Sequence, residues 1–285
     1  MTIVMRIHSV VLTLASLCSS SSSTFASDTT PTFESQTHPP SSTLRGNHPH
    51  SSSSDQSPSS SSSSSFQFQN GKRHVYQDAP VDPNLCDPSS PKSFSGYMDI
   101  TGSEYDAHGE DKHLFFWFFE KRSFSSPPQD AIKEEDIPLI VWLTGGPGCS
   151  SSLALLTENG PCTVNPNGED TQYNPHSWIE SAHMLWLDQP AGVGYSYGDP
   201  TDKNEDMVSE DVYYFLQAFF QTHVEYSSNP LFIVGESYGG HYAPAIAHRV
   251  YQGNLERKVD TKVLNLKGLA VGNGLTDPLI QYQVR

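Results

Sequence analysis

Apolar residues fall along this chain in two rhythms, and each predicts a different element. Three short runs, IPLIVWL (residues 137–143), HMLWLD (183–188) and LFIVG (231–235), are continuously apolar or nearly so. Strands covered on one face alternate apolar and polar side chains, so unbroken runs predict parallel strands buried on both faces, at 139–143, 183–187 and 231–234. Further strands are predicted at 96–100, 114–120 (LFFWFFE) and 263–271. The second rhythm is helical. Val208, Val212, Phe215, Leu216, Phe219 and Phe220 recur at steps of three and four and predict an amphipathic helix over 205–223. Glu205, Asp206, Glu210 and Asp211 crowd its first turns, where the helix dipole favours anions. A second helix is predicted over 238–251, ending at Gly253 with Arg249 in its last turn. Strands alternating with helices make this an α/β domain, with ligands expected beyond the carboxyl ends of the strands.

The N-terminal quarter has neither rhythm. Residues 1–26 carry Arg6, then an apolar core (Val10, Val11, Leu12, Leu14, Ala15, Leu17), then small residues up to Ala26. That order predicts a secretory signal, because the apolar run is well short of the about 20 residues that span a bilayer. No later run is longer, so no membrane association is expected once the signal is removed. Residues 27–74 are Ser-rich with scattered Pro and almost no branched apolar side chains. They cannot bury enough surface to offset the entropy of ordering, and read as a disordered pro-segment or linker, with a glycosylated stalk as the alternative. The folded domain is therefore expected over 75–285.

The negative charge lies on that domain: residues 1–74 hold four basic and three acidic side chains, a balance of +1, so the chain's −16 leaves −17 on residues 75–285. So acidic a domain argues against nucleic acid as a partner, and none is expected. Of the four Cys, Cys18 falls in the signal, leaving Cys86, Cys149 and Cys162. An odd number in a secreted chain predicts a free thiol or an absent partner. No C-x-x-C or H-E-x-x-H spacing occurs, so neither a metal site nor a cofactor is expected.

The chemistry concentrates at residues 231–244, LFIVGESYGGHYAP, where an apolar strand runs through G-x-S-x-G into a helix. A tight strand-to-helix turn needs Gly on both sides of a strained central residue, lifts its side chain clear of the sheet, and aims free helix N–H groups at it. Ser237 is thus the candidate nucleophile. G-x-S-x-G alone matches often by accident; the strand before it and the helix after it favour the elbow. Two loops at the same sheet edge look unlike plain connectors: TGGPGCSS (144–151) and DQPAGVGYSY (188–197). Gly145 and Gly146 let backbone approach a substrate, and an N–H there can complete an oxyanion hole with that of Tyr238. A phosphate loop is excluded because no Lys follows the glycines. The loop at 188–197 reads as a shaped turn with no further role.

WLTGGPGCSS (142–151), ENGP (158–161), DQPAGVGYSY, GESYGGHYAP and GNGLTDP (272–278) together resemble the plant serine carboxypeptidase family, from about residue 84 to 285. The resemblance implies an α/β-hydrolase fold, Ser237 as acyl-enzyme nucleophile, and Gly146 and Tyr238 as oxyanion-hole donors. It implies that Glu236 and Glu158 hydrogen-bond the free carboxylate of a peptide C-terminus, backed by Gly145 and by Thr144, which stands where many members carry Asn. Two carboxyls sharing a proton can donate to a carboxylate at acidic pH, which suits that task. Peptide or protein C-termini are the expected partners, and the vacuole or the cell exterior the expected destination. A related acyltransferase and a non-catalytic secreted fragment are the alternatives; the acyltransferase branch tends to carry Asp where this chain has Glu236. The family's catalytic Asp and His have no counterpart before Arg285, so the chain is expected to be truncated after the sixth strand and inactive as it stands. His241 and His248 are expected to be structural, and Cys149 to be unpaired, since its family counterpart bonds a Cys further downstream.

Overall fold

A computed structural model describes residues 76–80 (backbone only), 86, 92–100, 112–122, 133–198, 202–258 and 261–283. The secretory signal expected over 1–26 and the Ser-rich segment expected over 27–74 lie outside the described residues. Among the described residues a seven-stranded mixed sheet forms from β1 (Tyr76–Pro80), β2 (Ser93–Asp99), β3 (His113–Phe119), β4 (Leu139–Leu143), β7 (His183–Leu187), β8 (Leu231–Glu236) and β9 (Leu266–Gly272). Two short strands, β5 (Cys162–Val164) and β6 (Thr171–Tyr173), pair as a separate hairpin.

The sheet order is β1-β2-β3-β7-β4-β8-β9. Its first strands run antiparallel, whereas β7, β4, β8 and β9 are parallel. The three continuous apolar runs are the adjacent strands β7, β4 and β8, in register with Trp142 opposite both Trp186 and Val234. Alternation along them divides the core in two. Val141, Leu143, Leu185, Leu187 and Ile233 face one cluster together with α2 (Glu205–Thr222) and α3 (Gly239–Glu256). Trp142, Met184, Trp186 and Val234 face the other, under α1 (Ser151–Thr157). Coverage on both faces is why these strands tolerate no polar alternation.

The predicted helix over 205–223 is α2, and its phenylalanines are fully buried. The predicted end of α3 at Gly253 is corrected: the helix runs on to Glu256, and Arg257, at φ 45°, forms the left-handed cap. Gly253 is buried where α3 crosses α2, and a Cβ there would lie 2.5 Å from the Tyr213 ring. This glycine permits close helix approach and does not stop a helix. The strand predicted from 263 begins at Leu266, because the preceding residues leave the ladder to bury Leu264 and bond Asn254.

Cys86 and Cys162 form a disulfide. The expectation that Cys149 is unpaired does not hold: Cys149 is also disulfide-bonded, and no described cysteine is free. Counting cysteines after removing the signal leaves an odd number, and counting alone does not assign pairs.

Candidate active site

β8 ends at Glu236 and α3 starts at Gly239, so Ser237 and Tyr238 make the whole turn. Ser237 has φ 56°, a left-handed conformation that non-glycine residues adopt at a cost. Surrounding bonds hold it there. Its N–H donates to the Gly272 carbonyl (3.0 Å), and its carbonyl accepts from Gly240 N (3.0 Å) and Leu275 N (2.8 Å). The flanking glycine is required, since a Cβ on Gly235 would lie 2.5 Å from the Gly239 carbonyl oxygen. The side chain is exposed, and among the described residues no hydrogen bond engages its hydroxyl.

The loop after β4 lies against this turn. A Cβ built on Gly145 would sit 2.3 Å from Tyr238 N, 2.5 Å from the Glu236 carbonyl oxygen and 3.0 Å from Ser237 Cβ. Gly145 is buried and Gly146, at φ 111°, is exposed beside it. Among the described residues neither the Gly146 N–H nor the Tyr238 N–H has an internal acceptor. Two free backbone donors therefore accompany one free hydroxyl.

Glu236 and Glu158 come together from the end of β8 and the end of α1. The Glu158 carboxyl is held above its usual range, first by partial burial, then by the Glu236 carboxyl facing it. Thr144 Oγ1 accepts from the Trp142 indole N–H (3.1 Å), and Thr144 N donates to Ser151 Oγ (3.1 Å). The Thr144 hydroxyl keeps a proton to donate. The Tyr238 phenol donates to Glu205 Oε1 (2.7 Å), so its side chain is anchored away while its backbone stays at the turn.

Of the two histidines on α3, His241 packs its ring on Tyr238, 4.6 Å between centroids, and exposed His248 contacts Gln252. Neither is hydrogen-bonded to Ser237. Asp277 caps α4 (Pro278–Gln281) through Ile280 N, and Asp260 lies outside the described residues.

The sequence reading missed Asp188, the first residue after β7. It is wholly buried, and accepts from Ser150 Oγ (2.6 Å) and Ser151 N (2.9 Å) at Oδ1 and from Tyr195 N (3.0 Å) at Oδ2. Burial outweighs these bonds and pushes the carboxyl up to about 6. The loop at 188–197 is thus more than a turn: it inserts an acceptor under the loop that carries Gly145 and Gly146. The signal was an acidic residue closing an otherwise apolar strand at the ligand edge of the sheet.

The serine carboxypeptidase family profile matches residues 83–285. The chain belongs to the serine carboxypeptidase family. Within it, a serine carboxypeptidase-like protein of Oryza sativa subsp. japonica is 48% identical over 176 residues, 61% of this chain and 38% of that protein. The vacuolar serine-type carboxypeptidase ATG42 of Saccharomyces cerevisiae is 43% identical over 201 residues, 70% of this chain and 35% of that protein. Among solved structures, the prohormone-processing carboxypeptidase Kex1 from Saccharomyces cerevisiae superposes with a TM-score of 0.58 at 33% identity, covering 70% of this chain and 42% of that one. The fold is that of an α/β-hydrolase. The chain spans 38% of the rice relative's length and 35% of the yeast one's.

Proposed function

We propose that this chain carries the nucleophile half of a serine-type carboxypeptidase, with Ser237 forming the acyl-enzyme and peptide or protein C-termini as substrates. The Ser237 oxygen bonds the scissile carbonyl carbon, the C–N bond breaks, the hydroxyl proton passes through a base to the leaving amine, and water hydrolyses the ester. The N–H groups of Gly146 and Tyr238 receive the oxyanion. Glu236 and Glu158, with Thr144 and Gly145 beside them, receive the free carboxylate of the leaving residue, one of the pair donating its proton.

The observation that carries this reading is the free hydroxyl at a left-handed turn beside two backbone donors without internal acceptors. Gly146 is exposed and Tyr238 half-buried, so both N–H groups are open to a ligand, and two such donors beside one hydroxyl suit an incoming anion. The family match supports the reaction class, and the vacuolar name of the yeast relative supports delivery through the secretory route to the vacuole or cell exterior. A signal over 1–26 and a linker or pro-segment over 27–74 are part of the same proposal.

No described histidine is bonded to Ser237, and a serine without its base loses up to about a millionfold in turnover. The 285-residue polypeptide alone is therefore expected to hydrolyse blocked dipeptides very slowly. The test supplies the base. In imidazole, a fluorophosphonate probe is expected to add mass to Ser237 alone, and to nothing in Ser237→Ala. Without imidazole, addition is slow. No adduct on the folded protein in imidazole would refute the assignment of Ser237, and rapid turnover without imidazole would show that another group of the chain serves as its base.

A further inference from the structure

Asp188 is buried without a cation. Its hydrogen-bond donors are all neutral, and no described lysine or arginine pairs with it. An unpaired buried carboxylate is costly, so its hydrogen bonds must fix something the fold otherwise leaves loose. Both ends of the loop at 144–151 lead back to it. Oδ1 takes the Ser150 hydroxyl and the Ser151 N–H at the loop's end, and Ser150 is the residue that caps α1. Ser151 Oγ in turn accepts Thr144 N at the loop's start (3.1 Å), and Cys149 N closes on the Gly145 carbonyl (3.0 Å). Gly145 and Gly146 therefore hang between two points tied to one carboxylate. On the other side, Oδ2 takes Tyr195 N, and the Asp188 carbonyl accepts Ser196 Oγ (2.6 Å), so a second loop is closed on the same residue.

We infer that Asp188 is a positioning residue: it holds the Gly146 N–H in line with the Tyr238 N–H at Ser237. This rests on the reading of Ser237 as nucleophile. Backbone donors stabilise a developing oxyanion only when held within about 0.5 Å of the productive position. Asn at 188 keeps the shape but offers one acceptor oxygen where two are used, and turns an NH2 toward an N–H or a hydroxyl. The donor loop then has one end untied.

The test uses the full 285-residue chain, a fluorophosphonate probe and imidazole as base, reading the maximal labelling rate and the half-saturating probe concentration separately, with melting temperature alongside. Asp188→Asn is expected to lower the maximal rate by about 100-fold, the scale of a 1 Å misplacement, with half-saturation unchanged. Ser150→Ala, which removes the side-chain donor and leaves the backbone ones, is expected to give a smaller loss of the same kind. Gln217→Ala on α2 is the control: it deletes two part-buried bonds to the Lys262 backbone, away from the turn, and is expected to lower the melting temperature while keeping the rate. Asp188→Asn labelling as fast as Gln217→Ala, or losses that follow melting temperature across the variants, would make Asp188 a fold residue and overturn the inference. Should Asp188→Asn not fold, Ser150→Ala decides, and a wild-type rate there overturns it. A wild-type chain unlabelled in imidazole is a different failure: it removes the nucleophile, and the positioning role with it.

Discussion

Gly145 has no room for even a methyl group, because its Cβ would collide with the Glu236 carbonyl oxygen and the Tyr238 nitrogen on either side of Ser237. Gly145→Ala is expected to push the loop off the turn, destabilising by about 1–3 kcal/mol and slowing imidazole-supported labelling by roughly 100-fold or more. Labelling at the wild-type rate would show that the loop does not need that contact. Glu158 gives a pH prediction. Its raised carboxyl pKa means the protonated form is favoured in the fold, a contribution fully present below the unfolded pKa and lost as pH rises through the folded one. A blocked amino acid with a free carboxylate should therefore bind more tightly as pH falls through that range, while its amide shows no such gain. Glu158→Gln, a permanent donor, should flatten the dependence, and calorimetry across the acid range reads it. Ser237 was legible in the sequence because an elbow is a local object, made by glycines two residues either side. Asp188 was not, since its meaning depends on Ser150 and Ser151, which reach it only across the sheet.

At the scale of elements, periodicity located α2 within a residue of its end, but one feature of α2 and one of α3 were misread. Asp211 looked like a dipole-complementing first-turn carboxylate, yet it is buried with Asp202 around Lys112, at 2.6 Å and 2.7 Å from the ammonium. Burial first, then Asp202, pushes Asp211 up to about 7 against the pull of Lys112. The sign follows from a folded pKa above the unfolded one: this group stabilises most below about pH 4 and loses that contribution as pH rises through about 7. Asp211→Asn should therefore reduce the fall in melting temperature between these limits; an unchanged fall would assign it to other groups. Gly253 is the second feature. Read as a stop, it is the contact point of α3 on Tyr213, so Gly253→Ala should destabilise by about 1–3 kcal/mol despite the better helix propensity of Ala. A gain in chemical-denaturation stability would contradict that packing. Helix α1, barely two turns long, is too short to show a helical period, and the three-residue strands of the β5/β6 hairpin are too short to show an apolar run.

For the whole molecule, the pattern of apolar runs disclosed the parallel centre of the sheet but not its order, because β7 enters between β3 and β4 after a long excursion through α1 and the hairpin. Which strands neighbour one another depends on packing between distant segments, and no local pattern records it. The Cys86–Cys162 bridge is similar: it spans 76 positions and ties the segment before β2 to the hairpin. Closing a loop of that size should contribute roughly 4 kcal/mol, so Cys86→Ala with Cys162→Ala should lose about that much in denaturant unfolding; a loss near zero would mean that packing alone holds the segment. All these elements converge on one point of the sheet edge, where a strained serine meets two unsatisfied N–H groups. The most direct measurement there is a crystal structure of the protein phosphonylated in imidazole. The account predicts phosphorus on Ser237 Oγ, with one phosphoryl oxygen about 2.7–3.1 Å from both Gly146 N and Tyr238 N. A phosphoryl oxygen bonded to neither, or phosphorus on another side chain, would contradict it.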